Sequence, residues 1–235
     1  MSIVHRRGSI FTTNASVIVN TVNCAGVMGA GIAREMRFRY PDMFERYRVA
    51  AELGRIGIGQ VYIDRECTPW ILNFPTKKHW RHPSRLAYLR QGLEAFRRRS
   101  QEGDFTSIAF PLLGAAHGGI EPEVSKGLMV EMLQALPLDI EIWEYDKAAF
   151  DDLLPVVREA FEVLTDAHVA ADSNLGPAAV AKVRQALGDA RQLGQLAEMP
   201  GLGERTLERL FAYAMSLKEQ PSLRPQPTLG LDLDS

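Results

Sequence analysis

The chain has 235 residues, 46% of them hydrophobic and 24% charged, a folded globular composition that excludes collagenous, low-complexity and wholly disordered classes. Its formal charge of −2 hides an uneven spread: residues 1–150 sum to net +3 and residues 151–235 to net −5, a change of sign that suggests two units. No apolar run approaches the ~18 residues of a membrane span, and Met-Ser-Ile-Val-His-Arg-Arg at the start gives no signal peptide, so the cytoplasm is the expected location and no membrane partner is expected.

In chain order, Ile3–His5 and Ser16–Asn20 read as strands. Ala30–Tyr40 reads as a helix stopped by Pro41, with a second helix over Met43–Leu53. Gly54, Gly57 and Gly59 mark a loop. Gln60–Arg65 and Trp70–Phe74 read as strands divided by Thr68-Pro69. Ser84–Gln101 is strongly helical, with Ser84 as its expected cap and Leu86, Leu89, Leu93 and Phe96 at helical spacing. Ile108–Leu112 is a buried strand, Glu121–Leu136 a helix and Ile140–Trp143 a last strand. Strands alternating with helices imply a layered α/β domain with a largely parallel sheet, which binds ligands beyond the carboxyl ends of its strands.

After Asp146 the pattern is purely helical, beginning with Phe150–Leu164. A weak repeat follows. Leu175-Gly176-Pro177 leads into Val180 and Val183, and Leu202-Gly203-Glu204 leads into Leu207 and Leu210, at a constant offset of 27 residues. The expected organisation is one domain over 1–146, a helical region over 147–218 and a disordered tail over 219–235.

Three segments can carry chemistry. In the first, a strand with Asn20 and Asn23 runs into a loop with Gly26, Gly29 and Gly31 before a helix. Such a loop either serves only to turn the chain or lets backbone N–H groups approach a phosphate; the two amides either reach ribose hydroxyls or cap turns. It is neither a Walker loop nor a dinucleotide fingerprint. In the second, Pro111-Leu-Leu-Gly-Ala-Ala-His-Gly-Gly-Ile-Glu121 repeats the arrangement, with His117 facing either ligand or solvent. In the third, Asn73-Phe-Pro-Thr-Lys-Lys-His-Trp-Arg81 sets Lys77 and Lys78 at a strand end beside Trp80. This is either a surface pair or a charge-neutralising or nucleophilic lysine. Residues 77–99 hold eight basic residues and a single acid, Glu94, a local basic face suited to an anionic partner. Two cysteines, Cys24 and Cys67, and five scattered histidines suggest neither a disulfide framework nor a metal site.

These three segments, in this order and spacing, resemble the macrodomain family over roughly residues 1–146. The resemblance is strongest to the branch of DarG-like DNA ADP-ribosyl glycohydrolases, relatives of the terminal ADP-ribose glycohydrolases. It implies a three-layer α/β sandwich with a mixed six-stranded sheet, ADP-ribose as ligand and no cofactor. On this resemblance Lys77 matches the catalytic lysine and Asn23 lies against the distal ribose. Gly26, Val27, Met28, Gly29 and Gly31 hold the distal ribose and diphosphate. Gly114, Ala115, Ala116, His117, Gly118 and Gly119 form the second phosphate loop, and Ser9, Ile10, Asn20 and Tyr145 complete the ADP-ribose site, Tyr145 near adenine.

Three departures from the family stand out. Ser9 follows Gly8 where macrodomains commonly have an adenine-binding Asp. Ala115 and Ala116 replace the usual Cys-Gly. The second loop also lacks the carboxylate of the terminal-glycohydrolase branch, which favours the DarG-like one.

The implied reaction cleaves a base–ribose bond through an oxocarbenium-like state, with Lys77 acting either as an ammonium or as an attacking amine. Lys78, His79, Trp80, Arg81 and Arg85 are the expected DNA contacts, which favours ADP-ribosylated DNA over protein as substrate. A DNA ADP-ribosyltransferase toxin is the implied partner. A non-catalytic ADP-ribose reader and a hydrolase of protein-linked ADP-ribose are the alternatives. Leu196-Ala-Glu-Met-Pro-Gly-Leu-Gly203 resembles a helix–hairpin–helix turn, for DNA or for protein docking.

Overall fold

The computed structural model describes residues 2–220. They divide into two compact units, with the boundary between Ala148 and Ala149. No described helix is long and apolar enough to cross a membrane.

The first unit is built on six strands: β1 (Ile3–Gly8), β2 (Val17–Asn23), β3 (Tyr62–Asp64), β4 (Trp70–Lys77), β5 (Ser107–Pro111) and β6 (Asp139–Tyr145). They form one sheet in the order β1-β6-β5-β2-β4-β3. Every neighbouring pair is parallel except β3 and β4, so the mixed six-stranded sheet is present. Alternation along β2 assigns its side chains to two cores: Val17 and Val19 join one, Ile18 and Val22 the other. Helices α3 (Leu86–Ser100) and α4 (Pro122–Leu133) supply Leu89, Leu93, Phe96, Met129 and Leu133 to the first core. Helices α1 (Gly31–Arg39) and α2 (Pro41–Glu52) supply Met36, Met43 and Tyr47 to the second. Helices on both faces of the sheet make the three layers.

Most differences from the sequence reading lie at element ends. β4 runs three residues past Phe74, through the buried Pro75 and Thr76 to Lys77. Ser84 is not a helix cap. The residue before α3 is Arg85, extended and without a side-chain cap bond, while Ser84 turns inward and is buried. The expected helix from Phe150 starts at Leu154, whose N–H is taken by the Asp151 carboxylate at 2.8 Å. Pro155 follows in the first turn, where a missing N–H costs nothing.

The basic run is not one face. Arg90 pairs with Glu131 at 3.0 Å, and Arg99 pairs with Glu102 and Asp104 at 2.9 and 2.6 Å. Arg65 and Arg99 together hold the Asp104 carboxyl down at about 2, the Arg99 hydrogen bond being the main cause. At ~1.5 Å rise per residue, α3 carries Arg97–Arg99 to the end of the sheet opposite Lys77–Arg85.

The second unit contains α5 (Leu154–Val163), α6 (Asp166–Ser173), α7 (Pro177–Asp189), a 3-10 segment (Leu193–Glu198) and α8 (Glu204–Glu219). The 27-residue repeat in the sequence is a repeat in structure. The left-handed residues Asn174 and Gly201 occupy equivalent turns, and Gly176 and Gly203 precede equivalent helices. The pairs Val180/Leu207, Val183/Leu210 and Leu187/Ala214 are all buried. The equivalent cations cross over: Lys182 Nζ donates to Gly201 O at 3.4 Å and Arg209 Nη1 to Asn174 O at 2.7 Å. Each repeat therefore closes the turn of the other, as in a pseudo-twofold pair of hairpins. Within the expected disordered tail, Glu219 is still helical because Leu210, Phe211, Ala214 and Leu217 bury the last turns of α8; residues 221–235 lie outside the described residues.

Gly92 shows how tightly α3 lies on the sheet. A Cβ there would fall 2.3 Å from Phe74 Cζ. Alanine is better than glycine in a helix by ~1 kcal/mol, but overpacking a core typically costs ~1–3 kcal/mol, and the fully buried Phe74 has little room to yield. Gly92→Ala is therefore expected to lower the stability of the first unit by about 1–2 kcal/mol. The three tryptophans, Trp70, Trp80 and Trp143, all lie in this unit, so urea unfolding followed by tryptophan fluorescence reads it selectively.

Candidate active site

Parallel pairing brings the ends of five strands to one rim. Along it stand Ser9 after β1, Tyr145 closing β6, the Gly114–Gly119 loop after β5, the Gly26–Gly31 loop after β2, and Lys77 closing β4. With strands ~4.8 Å apart, this row extends about 19 Å, enough for an elongated ligand. A separate open groove of about 620 Å³ lies at the opposite ends of the strands, lined by Thr13–Ser16, Thr68–Trp70 and Gly103–Thr106. Parallel sheets place their chemistry at the carboxyl ends, and that groove contains none of the three motifs.

The first loop is locked from within. Asn23 Oδ1 accepts from the N–H groups of Ala25 and Val27 at 2.9 and 3.4 Å, and its Nδ2 donates to Val27 O at 2.6 Å. The amide expected against a ribose is thus committed to shaping the loop. Tyr47, fully buried on α2, donates its hydroxyl to Asn23 O at 2.5 Å, and burial pushes its phenol above the ordinary range. Asn20 is wholly buried as well. Its Nδ2 donates to Asn73 Oδ1 at 2.9 Å and to the Met28 sulfur at 3.7 Å, so it tethers Met28 from below, while its Oδ1 has no partner. The exposed part of the loop is Val27 and Gly29–Gly31. Ala30, which precedes α1, makes no side-chain cap bond, so the first-turn N–H groups of that helix are left for an anion.

The second loop approaches the first directly. A Cβ on Gly31, whose φ is +54°, would meet His117 Cδ2 at 2.9 Å. The imidazole therefore rests on the start of α1 and brings the two loops into contact. Ala116, His117 and Gly119 are exposed; Gly114 and Gly118 are buried. Lys77 joins both loops. Its backbone O accepts from Cys24 N–H at 3.0 Å, and its Nζ donates to His117 O in a short hydrogen bond. Half-burial lowers the Lys77 pKa from the ordinary lysine value.

Beyond Lys77 the expected DNA contacts form an exposed aromatic and cationic strip. The His79 and Trp80 rings are stacked, with centroids 5.4 Å apart and planes inclined by 27°. Arg81 lies 4.5 Å from the Trp80 ring, and Trp80 is 48% exposed. Lys78 and Arg85 lie 6.0 and 5.6 Å from the Tyr88 ring. At the far end of the rim Ser9 and Ile10 are buried, while Tyr145, paired in register with Gly8, is 62% exposed. The sequence reading missed Tyr47, which supports the site from a helix interior without any motif of its own; Asn73 opens the third motif but was given no role there. It also gave Ser84 a different role.

The family model described as Macro domain matches residues 19–129. A solved macrodomain of Mycobacterium tuberculosis DarG is 39% identical, with a TM-score of 0.59 over 62% of this chain and 99% of that one. The chain belongs to the macrodomain family. A Thermus aquaticus relative of this macrodomain, named DNA ADP-ribosyl glycohydrolase, is 43% identical over 145 residues, 60% of this chain and 40% of the relative. A Thermosipho africanus protein, named a DNA ADP-ribosyl transferase–DNA ADP-ribosyl glycohydrolase fusion, is 26% identical over 155 residues, 58% of this chain and 40% of the fusion. A solved DarTG from that species, in complex with ADP-ribose, is 28% identical, with a TM-score of 0.56 over 58% of this chain and 39% of that one. The chain thus spans about 40% of the length of these curated relatives.

Tyr47 isolates the contribution of the first loop. Tyr47→Phe leaves Asn23 O without its donor in a buried position, at a cost of about 1–2 kcal/mol. The tryptophan-reported urea midpoint of the macrodomain is expected to fall accordingly, with no change in its secondary structure by circular dichroism.

Proposed function

We propose that this chain is a glycohydrolase that removes ADP-ribose from modified DNA bases, with residues 1–146 as its catalytic domain. The observation that carries the reading is the position of Lys77: its amine lies against the second glycine loop, and that loop touches the first. A diphosphate held by the N–H groups of the two loops would leave the attached distal ribose beside this amine. The adenine end of the ligand would extend toward Ser9 and Tyr145, where serine replaces the family's adenine-binding carboxylate.

In the proposed mechanism Lys77 acts as an amine. Its pKa is lowered by burial, and its partner is a carbonyl, which does not bind the proton as a carboxylate would. The amine attacks C1″ of the distal ribose as the bond from C1″ to the base nitrogen breaks, through an oxocarbenium-like state. The departing base takes up a proton through water, and the attacking nitrogen gives one up to the same water, leaving a neutral glycosylamine. The resulting glycosylamine opens to an imine, water adds to it, and collapse restores the amine and releases ADP-ribose. An ADP-ribose reader would have no use for a lysine at this end of the groove.

The strip after Lys77 supports DNA as the carrier. Phosphates would lie on Lys78, Arg81 and Arg85, and a neighbouring unpaired base on Trp80. The partner that creates the substrate is proposed to be a DNA ADP-ribosyltransferase, the activity joined to the glycohydrolase in the Thermosipho fusion.

Two measurements test this reading. With an ADP-ribosylated oligonucleotide, Lys77→Ala and the charge-preserving Lys77→Arg should both lose about 10²-fold or more of the rate of ADP-ribose release. The wild-type rate should rise with pH as the amine is freed and level off below the ordinary lysine pKa. A Lys77→Arg variant of full activity would rule out the attacking amine. In equilibrium binding to the same oligonucleotide, Arg81→Ala with Arg85→Ala should reduce the slope of log K against log salt by about 1.4, at ~0.7 per phosphate contact on a single strand. An unchanged slope would remove the strip from the DNA interface.

A further inference from the structure

Ser84 is more than nine-tenths buried, and its hydroxyl has no hydrogen-bond partner. Buried hydroxyls are paired in nearly all native structures because an unmade bond is costly. This one is wedged between the two ends of the second loop. A Cβ on Gly114 would lie 3.1 Å from Ser84 Cβ and 3.2 Å from Ser84 Oγ. A Cβ on Gly118 would lie 2.5 Å from Ser84 Oγ and 2.2 Å from Gly114 O, so both oxygens crowd one point inside the turn. Gly114 O already accepts from Ile120 N–H at 3.0 Å, and a carbonyl has a second lone pair.

The backbone of the same residue holds the loop. Ser84 N–H donates to Gly118 O at 2.9 Å, while the preceding carbonyl, His117 O, takes Lys77 Nζ. Two successive carbonyls of the loop are thus held by one connection between β4 and α3, the first through a movable side chain and the second through fixed backbone. For Lys77 to reach an anomeric carbon it must leave His117 O. The loop then loses a donor at the moment it must keep its N–H groups on the diphosphate.

We propose that Ser84 is a positioning residue of the reaction: its unspent hydroxyl closes onto Gly114 O when Lys77 departs, and keeps the second loop in place through the chemical step. This rests on the glycohydrolase reading above.

Ser84→Ala removes the hydroxyl and retains the N–H bond to Gly118 O, so the full chain is assayed with ADP-ribosylated oligonucleotide and its melting midpoint is recorded by tryptophan fluorescence. The expected result is a kcat about tenfold lower, a KM within twofold of wild type and a midpoint equal to or above wild type. A residue that only fills space would leave kcat alone, and one that merely supports the fold would lower the midpoint. A kcat within twofold of wild type, a loss expressed in KM instead, or a loss accompanied by a lower midpoint overturns the proposal. The wild-type control separates the two layers of argument. If wild type releases no ADP-ribose, the glycohydrolase reading falls and takes this role with it; if wild type is active and Ser84→Ala matches it, only the role of Ser84 falls.

Discussion

Everything at the rim depends on the parallel pairing of three adjacent strands. β2 lies between β4 and β5, and all three run the same way, so the segments that leave their carboxyl ends emerge side by side. Asn23 stands opposite Lys77 in the register. No long-range contact has to be found for the lysine and the two glycine loops to meet; the ladder delivers them. A strand order that separated β4 from β2 would leave the same motifs in the sequence and no common site.

The two loops are held by different means, and the difference suits their work. The first is fixed by buried groups: the Asn23 amide, the Tyr47 hydroxyl and the Asn20–Met28 tether, with Tyr47 and Met28 inside the second core. Such a loop is preorganised and can hold a charged group with little rearrangement. The second is held by the N–H of Ser84 and by Lys77, the side chain proposed to act as the nucleophile. The second loop is thereby the one whose anchor the proposed reaction releases, and Gly31 permits the contact between loops. At Gly118 a side chain would collide with the Gly114 backbone, which cannot swing aside as a side-chain tip could.

The layered α/β class, the helices around Leu89 and Phe96, and the three motifs were legible because each rests on local pattern. Apolar period, glycine clusters and strand-end polar residues are properties of short windows. The 27-residue repeat was legible for the same reason, although the crossed bonds of Lys182 and Arg209 were not, since they join positions far apart in the chain. What failed was orientation. Ser84 looks like a cap because serine before an apolar helical run usually is one, yet the chain turns one residue later and the side chain points inward. Asn20 and Asn23 look like ligand amides at a strand end, and their burial depends on what α2 and the first loop place over them. The basic run from Lys77 to Arg99 appears continuous in one dimension, but α3 draws it out and Glu131, Glu102 and Asp104 take part of its charge.

The missing carboxylate in the second loop has a consequence for the lysine. Beside an aspartate, an ammonium would be stabilised and its pKa raised; beside the His117 carbonyl it gains a hydrogen bond but no counter-charge. Burial then dominates and pulls the pKa down. In the proposed mechanism, the absence of a carboxylate from the second loop favours Lys77 as an amine nucleophile. Trp80 and Arg81 just beyond it supply no carboxylate in its place, and both side chains are exposed. The proposed mechanism therefore asks one side chain to leave and regain a fixed resting place, which His117 O on the second loop supplies.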